Sequence, residues 1–296
     1  MKKTEKLKGQ LTFDFEIPRE QDRNFHLGGR SFYFFDFDDN IAYLSTPIVL
    51  FHKKNHSELF VSSGEFAHES KSIGKSGKFA EYFIDINDEF GSFRFFRDKE
   101  FTLSETKAGK KQCFVEDIQK AIEHSDELWK APSWNCFYHA TYNHRPISII
   151  TARGHRPETI VEGINLIVKD GHLPHDPKYH SIYPVSNIDI RRELGDPDLK
   201  KGVAELKKEA IRKSVEKAIE LYGQSPFHRF GMSDDDNKNI ELISEEMRSL
   251  KCKYPEMSFF VIETFKDSYT KYEILEHETR EIISEKESKS NQLTLF

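Results

Sequence analysis

Cysteine is scarce in this chain: Cys113, Cys136 and Cys252 are the three in 296 residues. Their odd number and wide spacing exclude a disulfide framework and any metal-type cysteine pair, and reduced thiols in a cytoplasmic protein are the simplest expectation. No apolar run approaches the roughly 20 residues of a membrane span. The opening MKKTEKLKGQLTF has the basic start of a signal peptide without its apolar core, so no export is expected. Positive charge is not in excess: the net charge is −6, which removes any broad attraction for nucleic acid while leaving room for local basic patches. There is no internal repeat, and Trp is rare at 2 residues.

Phenylalanine, by contrast, is abundant, with 25 residues beside 11 Tyr. Hydrophobic residues make up 37% of the chain and charged residues 32%, a balance expected of a soluble globular protein with one large domain or two smaller ones. The length is sufficient for a substantial core.

The most informative segment is Phe32-Tyr33-Phe34-Phe35-Asp36-Phe37-Asp38-Asp39-Asn40. Four consecutive aromatic residues predict a strand buried on both faces. Three carboxylates then follow within four positions, at the strand end where open α/β sheets place their ligands. Asp36 and Asp38 are two apart and so share a side of a continuing strand. Two converging carboxylates call for a cation between them, and a hard divalent ion such as Mg2+ suits oxygen ligands. Taken alone, the same residues also fit a solvated turn.

The order of elements weighs against a turn. Pro47–Phe51 is a second apolar segment, and residues 57–105 carry short alternating runs such as Tyr82–Ile86 and Ser92–Phe96, read as short strands. Val115–Lys130 has helical periodicity. From Pro146 onward strands and helices alternate: strand Ile147–Thr151, helix Glu158–Lys169, strand Ser181–Val185, helix Glu205–Tyr222, strand Arg229–Met232, helix Ile240–Leu250, strand Ser258–Ile262. Such alternation predicts a three-layer α/β/α, Rossmann-like parallel sheet whose strand ends meet at one edge. Asp36 and Asp38, Thr151 with Arg153, and Asp234 with Asp235 all fall at those ends, and the helix before the last of them is rich in Lys. Carboxylates for a metal, a hydroxyl and a lysine for phosphate, and one Asp free to attack are the parts that aspartyl-phosphate chemistry needs.

On these residues the chain resembles the haloacid dehalogenase (HAD) superfamily. FYFFDFDDN resembles the family's first motif, ISIITARG its second, a Lys near a helix start its third and FGMSDDDNKN its fourth. The resemblance implies a catalytic core over residues 28–56 and 132–265, with 57–131 inserted as a partly β cap between the first and second motifs. It implies a Mg2+-dependent phosphatase acting on a phosphate monoester. Asp36 would be the nucleophile and Asp38 the acid and base. Thr151, Arg153 and Lys208 would bind the phosphoryl group, with Lys207 and Lys213 as other choices for the lysine. Asp36, Asp38, Asp234 and Asp235 would hold the metal, the choice between the last two staying open. Asn40 stands where the family prefers Thr or Val, and tolerance is expected there. The acid further along the fourth motif is replaced by Lys238 or Asn239; Asn239 can orient a metal ligand but brings no charge. His155 and Arg156 are candidates to touch substrate. A non-catalytic HAD-like binding protein is the alternative from another class.

The chain ends Gln292-Leu293-Thr294-Leu295-Phe296 after a charged, flexible-looking lead. This resembles the peptide with which bacterial proteins dock on the DNA sliding clamp, Leu and Phe filling an apolar groove and Gln bonding at its rim. It implies a second alternative, a nucleic-acid end phosphatase recruited through Gln292, Leu293, Leu295 and Phe296.

Overall fold

The computed structural model describes residues 18–87, 89–265 and 268–285. The QLTLF segment lies outside the described residues.

The four-aromatic run forms the first strand, β1 (Ser31–Phe35). A side segment follows: β2 (Ile48–His52), β3 (Glu58–Val61), helix α1 (Ser63–Glu69), β4 (Tyr82–Phe83) and the short helix α2 (Leu103–Lys107). Then come α3 (Cys113–Ala121), α4 (Asp126–Trp129) and α5 (Trp134–Tyr142). The alternating part comprises β5 (Ile147–Thr151), α6 (Pro157–Lys169), β6 (Tyr179–Pro184), α7 (Ile188–Glu193), α8 (Val203–Tyr222), β7 (Arg229–Asp234), α9 (Asn237–Lys253) and β8 (Ser258–Phe265). A hairpin of β9 (Ser268–Ile274) and β10 (Thr279–Glu285) closes the described chain.

Among the described residues the main sheet runs β10-β9-β8-β7-β1-β5-β6. The five strands from β8 to β6 are mutually parallel, and β9 and β10 extend the edge in antiparallel fashion. The sheet is therefore mixed, not the wholly parallel one the sequence predicts. β9 and β10 escape sequence reading because their composition, YTKYEI and TREIISE, is that of a half-exposed, charged edge.

Side chains alternate across β1, as a strand's period of two requires. Tyr33 and Phe35 join Ile147 and Ile149 under α3, α5 and α6, while Phe32 and Phe34 join Ile150 and Phe230 under α8 and α9. The result is three layers, helices on both faces of the sheet. β1 lies between β5 and β7, and the chain crosses over β1 in passing from β6 to β7. Strand order reverses there, and in such sheets the crevice beyond the strand ends is where ligands bind.

The side segment forms its own three-stranded sheet, β3-β2-β4, over a small core of Ile48, Leu50, Val61, Ile73 and Phe79. Two expected boundaries shift. β2, expected within the core, pairs with β3 and β4 instead. Phe114 and Ile118 of α3, expected in the insertion, are buried with the main sheet's helices. The helix expected over Val115–Lys130 ends at Ala121 and resumes at Asp126. The Phe93–Phe96 run is a single helical turn rather than a strand, closed by the Phe96 amide on the Phe93 carbonyl at 2.9 Å.

Candidate active site

Asp36 is the first residue beyond β1, and its amide donates to the Ser233 carbonyl of β7 at 3.1 Å. Asp234 ends β7 and Asp235 follows it. The adjacent parallel strands thus bring the two acidic segments together, and carboxylate oxygens of Asp36, Asp234 and Asp235 lie within 4.8 Å of one another.

A buried lysine lies against this cluster. Lys207 Nζ is 2.6 Å from Asp234 Oδ2 and 3.1 Å from Asp36 Oδ2, with 1% of its side chain exposed. Sequence reading favoured Lys208, which the structure turns away toward Glu245 at 3.6 Å. The signal was present in the sequence: Ala204, Lys207, Ile211, Ser214 and Ala218 form one buried stripe of α8 at helical spacing. A lysine on such a stripe is held indoors by something negative, whereas Lys208 flanks it.

Charge explains the titration behaviour. Burial holds the Asp36 carboxyl well above its ordinary range; Lys207 works the other way and Asp234 adds to the rise. Burial and Asp234 push Asp235 up to about 7. Burial disfavours the charge on Lys207, but Asp234 and Asp36 outweigh it, so its pKa lies above that of a free lysine. Three carboxylates against one ammonium leave the cluster short of positive charge.

A divalent cation fits that deficit. The donors are all carboxylate oxygens, the set a hard ion prefers. Asp36 Oδ1 is buried and, among the described residues, has no hydrogen-bond partner. Asp234 is held in place from both sides: Lys207 takes Oδ2, and Oδ1 accepts from Asn239 Nδ2 at 3.1 Å and from the Asp236 amide at 3.1 Å. The cluster is thus capable of chelating a divalent cation, and Asn239 bonds to one of its members, Asp234.

Asp38 stands apart. Expected among the metal ligands, it instead accepts from Arg153 Nε at 2.8 Å and from its terminal nitrogen at 2.6 Å. Arg153, expected to bind substrate, is wholly buried; its guanidinium lies 4.8 Å from the Phe96 ring centre and 4.7 Å from that of Phe114. It also donates to Thr46 Oγ1 at 2.8 Å, and Thr46 in turn bonds to Asp117. Its geometry is that of a brace for Asp38. Thr151 is fully buried, its hydroxyl accepts from the Arg153 amide at 3.3 Å, and it does not line the cleft above Asp36. His155 is buried against Phe114, where burial keeps its pKa well below the usual histidine value. Arg156 is exposed and pairs with Glu100 at 2.9 Å.

Asn40 is the residue whose weight sequence reading missed. It is fully buried, and its Nδ2 donates to the Ser233 carbonyl at 3.0 Å and Ser233 Oγ at 2.8 Å. Its Oδ1 accepts from Ser133 Oγ at 2.7 Å and Thr264 Oγ1 at 3.0 Å. One amide therefore ties the loop after β1 to β7, β8 and the start of α5. Beyond the Asp36 carbonyl at 3.3 Å, these partners lie 93 to 224 residues away, and no local pattern signals that.

A cleft of 330 Å³ opens at Asp36, lined among others by Asp36, Asp38, Lys207 and Asp235 and by Phe66, Phe93 and Phe96. Ser63 of α1 donates to Asp39 Oδ2 at 2.8 Å. The Gly154 amide donates to the Phe96 carbonyl at 2.8 Å, and a Cβ at Gly154 would stand 3.2 Å from both Arg97 Cγ and the Ser186 carbonyl oxygen, so glycine permits that close approach. No helix among the described residues is long and apolar enough to cross a membrane. No family model matches this chain, and neither a curated protein nor a solved structure matches it.

Proposed function

We propose that the chain is a Mg2+-dependent phosphatase of the HAD type, acting on a phosphate monoester through Asp36. The observation that carries this reading is Lys207 lying between Asp36 and Asp234 at the ends of two adjacent parallel strands, beside an Asp36 oxygen that has no hydrogen-bond partner among the described residues. The sheet order, with β1 between β5 and β7 and the side segment entering directly after β1, supports it.

Asp36 faces the cleft and can attack phosphorus in line with the ester oxygen. A bond forms between its carboxylate oxygen and phosphorus as the ester bond breaks, and the electron pair leaves on the alcohol oxygen. Water then attacks the phosphorus, the aspartyl bond breaks and inorganic phosphate departs. Lys207 keeps a positive charge beside the phosphoryl oxygens throughout, at no cost in reorganisation. Asp38, aimed by Arg153, is the acid that gives its proton to the leaving alcohol oxygen and then the base that takes one back from the attacking water. Asp36, Asp234 and Asp235 would hold Mg2+, which would supply the remaining neutralisation of the phosphoryl charge.

The test is Asp36→Asn, with phosphate release from p-nitrophenyl phosphate measured with and without Mg2+. Loss of about 10³-fold or more is expected. Hydrolysis equal to that of the unaltered protein removes Asp36 from the chemistry; absence of hydrolysis in both, across a panel of sugar phosphates, nucleotides and phosphorylated oligonucleotides, favours a binding protein.

A further inference from the structure

The lining of the cleft is of two kinds. The acids with Lys207 come from the main sheet's strand ends and α8, and Phe66 from α1 and Phe93 and Phe96 from the helical turn come from the side segment, with Ile48 and Val203 also in the lining. Phe66 and Phe93 meet edge to face, ring centres 5.5 Å apart, and both are half-buried. Two polar groups of the lining already have partners: the Ser63 hydroxyl is given to Asp39 and the Asn239 amide to Asp234. A sugar or other polyol set against the phenylalanine rings loses water from several hydroxyls and finds no partner in the rings for them. An aromatic ring loses nothing of that kind and gains contact with the phenylalanine faces. The volume of 330 Å³ is that of a small-ligand site.

Building on the phosphatase reading, we infer that the substrate is a phosphate monoester whose alcohol carries an aromatic ring next to the ester carbon or oxygen, with Phe66 and Phe93 as the residues that select it. Arg97 and Gly154 line both this cleft and a second, charged cavity of 780 Å³, so a polar remainder beyond the ring has a route out.

The test compares benzyl phosphate with glycerol 3-phosphate on the full chain with Mg2+. Both esters release a primary alcohol, so leaving-group reactivity contributes little to the comparison. We expect kcat/KM at least about tenfold higher for benzyl phosphate, the discrimination one apolar group commonly yields. Phe66→Ala or Phe93→Ala brings the ratio toward one, and Phe66→Leu leaves it between. Being a ratio on one preparation, it is unmoved by partial misfolding, which lowers both terms. A ratio near one in the unaltered protein, or one that both Ala variants leave intact, overturns the inference while the phosphatase reading stands. Should neither ester be turned over, the phosphatase reading is left to the wider panel and calorimetry with benzylphosphonate and methylphosphonate decides the ligand class alone. Tighter binding of benzylphosphonate, weakened by Phe66→Ala, upholds it, and equal binding overturns it.

Discussion

Every residue of β1 and of β5 is buried, whereas in β3 only Val61 is. The main sheet is covered on both faces by helices. The small sheet of the side segment encloses a core of a few residues and touches the strand-end loops through identifiable bonds: Ser63 to Asp39, Gly154 to Phe96, and the Arg156 amide to Asp98 at 2.8 Å. On the proposed reading, the groups that meet the phosphorus atom stand on the doubly covered sheet, and the groups that face the rest of the ligand stand on the side segment with its smaller core.

The largest expected effect separates two neighbouring lysines of the main body. Lys207→Ala removes the ammonium between Asp36 and Asp234 and is expected to lower kcat by about 10²-fold or more. Lys208→Ala touches a partly exposed pair with Glu245 and is expected to change kcat less than about twofold. Equal losses, read from steady-state hydrolysis, would remove the charge argument from the site.

Next is Asn40→Ala, which leaves the Ser133 hydroxyl and the Ser233 groups without their amide in a place water does not reach. A loss of about 3 kcal/mol in urea unfolding is expected, since each orphaned buried polar group costs roughly 1–3 kcal/mol. A loss under about 1 kcal/mol would show that the loop after β1 is held by other means.

These two cases also show how far the sequence could be read. Acids following doubly buried strands are visible in a one-dimensional pattern, because burial on both faces demands an unbroken apolar run and the acids interrupt it. The choice of Lys207 over Lys208 was visible only in the helix phase of α8. Asn40 was legible as the atypical residue of the first motif, but its partners Ser233 and Thr264, brought near by two crossovers of the sheet, were not. The side segment was hardest to read. Phe93 to Phe96 alternate like a strand, yet they pack as one turn whose rings serve the cleft. Asp38 looked like a metal ligand because Asp36 and Asp38 share strand phase, but the strand ends at Phe35 and Arg153 claims the second carboxylate.

A third expectation concerns acid. His180 of β6 is packed near Phe32 and Phe34, and burial pushes its pKa down to about 4. The unfolded chain binds that proton near pH 6.5, so the folded state is favoured in full above about 6.5 and loses this contribution as pH falls toward 4. By pH 4.5 the loss is about 2 kcal/mol relative to pH 7, at roughly 1.4 kcal/mol per pH unit. His180→Gln should lose less stability over the same interval in urea titrations at the two pH values; an identical decline would assign the acid sensitivity to other groups.

The smallest effect tests the looser side. Ser63→Ala deletes the bond from α1 to Asp39, whose backbone is left-handed at φ 57° and whose carboxyl burial holds above its ordinary pKa. Ser62, not Ser63, caps the helix through the Glu65 amide at 3.1 Å, so the helix itself stays formed. Part-exposed, the lost bond is worth about 1 kcal/mol or less to global stability. Its effect belongs in binding: Phe66 rides on the same helix, so a loosened α1 weakens the apolar wall and raises KM for benzyl phosphate about three-fold with kcat little changed, because Asp36 and Lys207 do not move. If kcat falls while KM holds, the side segment contributes to the chemistry itself, and the division of labour between the two sheets does not stand.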